Sequence, residues 1–209
     1  MMNKGLRSTV LALALAAAAV PLLQGCFPVV AGGVGAGAMM AADRRTSGAY
    51  VEDEGIEWKA SAAVKEKLGD LVHLNITSYN RNVLITGEVP NETVKTQLPG
   101  IVASVPNVRG ITNDAQVAGH SSLTSRSNDA LITSKIKARM IDSEAVQANL
   151  IKVVTEAGTV YLMGLVTRNE ADAATLVART TSGVKKVVRV FEYIDANEAR
   201  RLDLLKRDQ

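Results

Sequence analysis

The side chains able to do covalent or acid–base chemistry in this 209-residue chain are few: one cysteine, Cys26, and two histidines, His73 and His120. A lone cysteine cannot form an intramolecular disulfide. His73 lies in a short apolar stretch and reads as a packing residue; His120 lies in a polar loop and reads as solvated. Serines and threonines are plentiful, but no Gly-X-Ser-X-Gly turn presents one as a nucleophile. The Gly-rich run at 32–37 is not followed by the Lys-Ser/Thr pair of a phosphate loop and lacks its strand–turn–helix setting. No catalytic residue, metal ligand or cofactor site is therefore expected.

The chemistry open to Cys26 is acylation. Lys4 and Arg7 precede an apolar run from Val10 to Leu23, which is shorter than the roughly 20 residues a spanning helix needs. A basic start, a short apolar centre and small residues near a cut describe a signal peptide over residues 1–25. Leu23-Gln24-Gly25-Cys26 resembles the bacterial lipobox, with Gln24 at its loosest position. Lipidation at Cys26 by palmitate-like chains is expected, each buried methylene contributing about 0.8 kcal/mol to anchoring. It also removes the thiolate from catalysis and metal binding. By resemblance to lipoprotein sorting rules, Phe27 in place of Asp directs the chain to the outer membrane, at its periplasmic face.

The formal charge of +3 falls to +1 once Lys4 and Arg7 leave with the signal peptide. That is not the broad positive field of a nucleic-acid binder. Residues 26–46 are rich in Gly and Ala, as in Ala31-Gly32-Gly33-Val34-Gly35-Ala36-Gly37-Ala38, and read as a flexible tether.

The remainder is an internal repeat. Ile76 to Val89 matches Val153 to Val166 without a gap. Each segment is an extended run, a polar turn (Asn80-Arg81-Asn82, Ala157-Gly158) and a second extended run with a glycine, Gly87 or Gly164, near its end. Such structural glycines mark a close backbone approach, and a crossing helix is expected beside each. Ile132, Ile136 and Met140 give the helix before the second hairpin a core stripe, with Ala60, Val64 and Leu68 as the counterpart in the first half. Glu170, Ala173, Ala174, Val177 and Ala178 mark the helix after the second hairpin. The matching segment holds Pro99 and Gly100 and is expected to be shorter or interrupted. Third strands follow, at Val108–Ile111 and Val184–Val190. The predicted class is α+β: two tandem αββαβ modules, each a three-stranded sheet covered by two helices, over 47–118 and 128–196 with a linker at 119–127.

Three further features are read conservatively. Glu52-Asp53-Glu54 stabilises a helix N-terminus, Trp58 packs in a core or domain interface, and the 197–209 tail, with Arg200, Arg201, Leu204 and Leu205, frays although a short amphipathic membrane helix also fits.

The extended pair, its glycine and the closing Val-basic strand resemble the BON domain, a small module of bacterial envelope proteins. Lipobox, the Asp43-Arg44-Arg45-Thr46-Ser47-Gly48 run and two modules in tandem together resemble the dual BON-domain outer-membrane lipoproteins; Val160 to Thr167 is especially close. The resemblance implies that the second module binds anionic phospholipid and that the protein supports outer-membrane integrity near division sites and the outer-membrane protein assembly machinery. On the helix over 128–142, with Ile132, Ile136 and Met140 facing the core, Leu131 and Ile141 fall on the opposite half. Lys135 lies beside Leu131, Lys137 beside Ile141, and Arg139 on the flank. Apolar tips between ammonium groups suit an anionic membrane. In the family an aromatic stands where this chain has Leu131. Packing of Leu131 and Ile141 against the first module fits the pattern equally. The alternative function is a protein-interaction module for envelope assembly or peptidoglycan-remodelling factors at division sites.

Overall fold

A computed structural model of the chain describes residues 43–119 and 121–207. The signal peptide, Cys26, most of the expected tether and His120 lie outside the described residues.

The first module runs α1 (Ser47–Leu68), a 3-10 turn (Gly69–Leu71), β1 (His73–Tyr79), β2 (Asn82–Val89), α2 (Glu92–Ala103), β3 (Gly110–Asn113) and β4 (Gln116–Val117). The second runs α3 (Leu123–Ile141), a 3-10 turn (Ala148–Leu150), β5 (Lys152–Glu156), β6 (Thr159–Val166), α4 (Arg168–Arg179) and β7 (Lys186–Tyr193), and α5 (Ala196–Arg207) follows. The αββαβ order thus occurs twice. In each module an antiparallel hairpin is followed by a parallel strand on the other side of the central one, β1-β2-β3 and β5-β6-β7. β4 continues the line of β3 along β2.

Both hairpins close through two residues with positive φ, Asn80 (50°) and Arg81 (66°) in one, Ala157 (50°) and Gly158 (80°) in the other. This is the turn whose twist matches the flanking strands. The exposed amides of each turn are taken up by an aspartate of the module's first helix. Asp53 accepts from the Asn80 and Arg81 amides at 2.8 and 2.7 Å, and Asp129 from the Ala157 and Gly158 amides at 2.9 and 2.8 Å. These aspartates fix the true register of the repeat. Each stands three residues before the first core isoleucine, so Ile56, Ala60 and Val64 match Ile132, Ile136 and Met140. The equivalence predicted with Ala60, Val64 and Leu68 is one turn out. Asp53 is likewise buried and well inside α1, whose first turn holds no acid; it does not serve the helix N-terminus.

The glycines do mark close approaches, but not of a crossing helix. A Cβ on Gly87, whose φ is +107°, would stand 2.2 Å from the carbonyl oxygen of His73 in β1. One on Gly164 would stand 2.6 Å from the Leu150 carbonyl, in the turn leading to β5. α2 is not shortened either: both second helices have 12 residues, and Pro99 lies inside α2. The Lys95 carbonyl, deprived of the amide that Pro99 lacks, instead accepts from Asn113 Nδ2 at 2.9 Å.

β2 and β6 are buried on both faces. Val83, Ile85 and Val89 pack on α1 and α2, while Val160, Leu162 and Val166 pack on α3 and α4. The opposite faces meet each other, Tyr79 and Leu84 against Tyr161, Met163 and Leu165. Helix, sheet, sheet and helix layers result, and burial on both faces explains why these strands read as nearly continuous apolar runs. Polar groups cross the seam in pairs: Asn75 Nδ2 donates to Glu156 at 2.6 Å, Tyr161 OH to Asp114 at 2.8 Å, and Lys152 meets Glu57 at 2.8 Å. Burial, with help from Glu88 and Asp129, pushes the Glu156 carboxyl above its ordinary pKa against the pull of Asn75. His73 Nδ1 lies 3.2 Å from Glu88.

The stretch just before α1 is not free tether. Asp43, Arg44 and Arg45 are all buried. Arg44 forms a fork with Glu170 (2.8 Å to each carboxylate oxygen), contacts Asp203 at 2.8 and 3.0 Å, and donates to the Leu165 carbonyl. Arg45 bridges Asp43 and Asp53 and stacks 4.0 Å over the Tyr79 ring. Nor is the tail frayed through Arg207: α5 buries Ala199 and lays Leu202 on the seam cluster. Trp58 is 74% exposed. Two residues on from the core residue Ile56, it points away from the stripe that α1 buries.

Candidate membrane interface

α3 begins five residues earlier than the sequence suggests. Ser122 caps it, accepting from the Ser125 amide, so the expected linker contributes Leu123 through Ser127 to the helix. The core stripe holds as expected: Ile132, Ile136 and Met140 are 1%, 0% and 0% exposed. Asp129 grips the β5–β6 turn, and Thr133 is bonded to Thr155 at 2.7 Å. These contacts fix how α3 rotates about its axis, and thus which residues face out.

The outward residues are Leu123 (78% exposed), Leu131 (59%) and Ile141 (73%). At 100° per residue, Leu123 and Ile141 project in the same direction and Leu131 about 80° round from them. The three mark a line about 27 Å long at 1.5 Å per residue. Between them on the same half of the helix lie only small side chains, Ser127, Ala130, Ser134 and Ala138. Lys135 and Lys137 stand on opposite flanks of this strip and are exposed. Among the described residues neither takes part in an ion pair. The sole acid in α3 is Asp129, buried and engaged, against four basic residues. The strip is therefore apolar along its centre and cationic along its edges. Packing of Leu131 and Ile141 on the first module, the other option left by the sequence, does not occur.

Arg139 differs from the lysines. Its Nη1 donates to the Val177 carbonyl at 3.0 Å and to Thr181 Oγ1 at 2.7 Å, and its Nη2 to Thr180 Oγ1 at 3.0 Å. It caps the C-terminus of α4, where the helix dipole favours a cation. Leu123, missed by the sequence reading, was detectable: Ser122 is a strong N-cap residue, and Leu123 lies 18 residues, five full turns, before Ile141.

Among the described residues no group of histidine, cysteine and acidic side chains is placed to hold a metal ion, and no helix is long and apolar enough to cross a membrane.

Comparison with known proteins agrees with this architecture. The BON domain family model matches residues 59–119 and 128–195. The chain is 37% identical over 185 residues to the outer membrane lipoprotein DolP of Haemophilus influenzae, covering 88% of this chain and 96% of that one. It is 31% identical to the 21 kDa hemolysin of Actinobacillus pleuropneumoniae over 73% of this chain and 79% of the relative. To the osmotically-inducible protein Y of Escherichia coli it is 25% identical, over 67% and 72% respectively. None of these names denotes an enzyme. The C-terminal domain of CdsD, a structural protein of the Chlamydia trachomatis type III secretion system, aligns over 66% of this chain and 96% of that domain. Its TM-score of 0.29 and 10% identity are too low to carry an argument. Two tandem modules of matching topology and a full-length relative at this identity settle the relationship: the chain belongs to the BON-domain family, as an outer-membrane lipoprotein of the DolP type.

Proposed function

We propose that the protein is a non-enzymatic lipoprotein, acylated at Cys26, whose second BON module holds anionic phospholipid against the outward strip of α3 and so supports outer-membrane integrity. The observation that carries this reading is the strip itself: Leu123, Leu131 and Ile141 exposed along one helix face, with Lys135 and Lys137 on its two flanks. Aliphatic tips enter the headgroup region while lysines extend along it to the phosphates. Each ammonium contributes about 1 kcal/mol near an anionic surface. Arg139, engaged with the end of α4, adds charge to the rim rather than a directed phosphate contact. Leu131 in place of an interfacial aromatic makes the insertion shallower, and Leu123 adds apolar area at the other end.

The acyl anchor raises the local lipid concentration, so a weak second contact is populated. The test is co-sedimentation of the unlipidated chain, carrying Cys26→Ser, with vesicles of phosphatidylglycerol mixed into phosphatidylcholine, and with phosphatidylcholine alone. Binding that rises with the phosphatidylglycerol fraction supports the reading. Equal binding to both vesicle types removes the preference for anionic lipid, and no binding to either removes the lipid face.

A further inference from the structure

The last helix is unexplained by the α3 face. α5 buries Ala199 and packs Leu202 on the seam, yet its outward half carries Leu204, 60% exposed, and Leu205, 49% exposed. Arg200 and Arg201 lie on that same half, interleaved with the leucines around the helix. Over Ala196–Arg207 four basic residues stand against two acids. Both acids are paired: Glu198 with Arg201 at 2.7 Å, and Asp203 with the buried Arg44 at 2.8 Å.

The second pairing locates the helix. Arg44 is 3% exposed, sits next to the first described residue of the chain, and is bound to both α5 and Glu170 at the start of α4. The first described residues thus lie beside α5. Residues 26–42, even at full extension, span no more than about 60 Å. Arg44 meets α5 at Asp203, the residue directly before the exposed Leu204 and Leu205.

We propose that α5 is a second membrane contact, lying on the anionic leaflet that holds the acyl chains. Leu204 and Leu205 enter the headgroup region and Arg200 meets its phosphates, while Arg201, held in a fork by Glu198, adds to the cationic rim. This rests on the acyl anchor at Cys26 but not on the α3 face. A short amphipathic helix with a cationic polar face gains from both terms at such a surface, and tethering keeps it at high effective concentration there.

The lipidated protein itself provides the test. With Cys26 acylated, a single introduced cysteine is the sole free thiol for an environment-sensitive fluorophore. Labels at Leu205→Cys, Ile141→Cys and Thr96→Cys, the last exposed on α2, are read in vesicles containing phosphatidylglycerol and spin-labelled lipid. The label at 205 is expected to shift to the blue and to be quenched at least twice as strongly as that at 96. Adding Arg200→Glu and Arg201→Glu is expected to remove most of the difference. A label at 205 quenched no more than that at 96 overturns the proposal, as does quenching at 205 that persists unchanged after both charge reversals. The label at 141 reports the α3 face separately: silence there with quenching at 205 counts against that face alone.

Discussion

Replacing Lys135 and Lys137 together by alanine tests the reading of α3 most sharply, because the structure separates these two cations from Arg139. Neither lysine is ion-paired among the described residues, so their removal costs the fold little. Each contributes about 1 kcal/mol at an anionic surface. The loss of both is about 2 kcal/mol, or roughly 30-fold in partitioning, since about 1.4 kcal/mol is a factor of ten. On neutral vesicles the change should be negligible, and in high salt the native protein should approach the variant. Arg139→Ala should behave in the opposite way. It removes three hydrogen bonds that close the end of α4 and lowers stability by about 1–3 kcal/mol, while weakening lipid binding less than the lysine pair does. Co-sedimentation at about 0.1 M salt measures binding, and urea denaturation measures stability. If the double lysine variant binds phosphatidylglycerol vesicles within about threefold of the native protein, the cationic edges of the strip are not part of a lipid site.

Other expectations follow from the core. Asp129→Ala removes two charge-assisted bonds to the β5–β6 turn and should cost about 3–5 kcal/mol, with the Ala157 and Gly158 amides losing exchange protection; native-like protection there would refute the clasp. Asp53→Ala should cost more, because Asp53 also accepts from Ser78 at 2.6 Å and pairs with the buried Arg45, which denaturation of the two variants side by side would show. Gly87→Ala places a methyl against the His73 carbonyl at a positive φ and should destabilise by about 3 kcal/mol or more, whereas an unchanged melting temperature would mean that β1 yields freely. Glu156→Gln should stabilise the protein at neutral pH. Burial raises the folded-state pKa of Glu156 above the ordinary 4.5, so the penalty is absent below 4.5, grows as pH rises and is complete above the folded-state value. A stabilisation that persists unchanged below pH 4.5 would contradict this origin.

The two modules use one framework with different surroundings. In both, an aspartate of the first helix holds a two-residue turn, and the central strand is buried on both sides. In the first module that aspartate is drawn into the Arg45 cluster that binds the tether root. In the second it is left to the turn, and the opposite side of its helix carries the exposed strip.

Local pattern settled much of this protein. Periods of 2 and 3.6 residues, turn residues at fixed offsets and the ungapped hairpin match sufficed for the αββαβ order and for the core stripe Ile132, Ile136 and Met140. That stripe dictates by helix geometry alone that Leu131, Lys135, Lys137 and Ile141 face elsewhere. What local pattern leaves open is what lies opposite such residues, because that depends on contacts between segments far apart in the chain. Leu131 and Ile141 have the same composition whether they meet the first module or solvent, and only the stacking of the two sheets, which occupies Leu84, Tyr161 and Met163 instead, leaves them exposed. Arg139 has the same helical phase whether it reaches for a phosphate or for the end of α4. Asp43, Arg44 and Arg45 read as tether because their partners, Asp53, Glu170 and Asp203, lie up to 159 residues away. Pro99 reads as a helix breaker until the Lys95 carbonyl meets Asn113 from a different strand. Periodicity records which side of an element is buried; the partner that buries it, or its absence, is fixed by long-range packing alone.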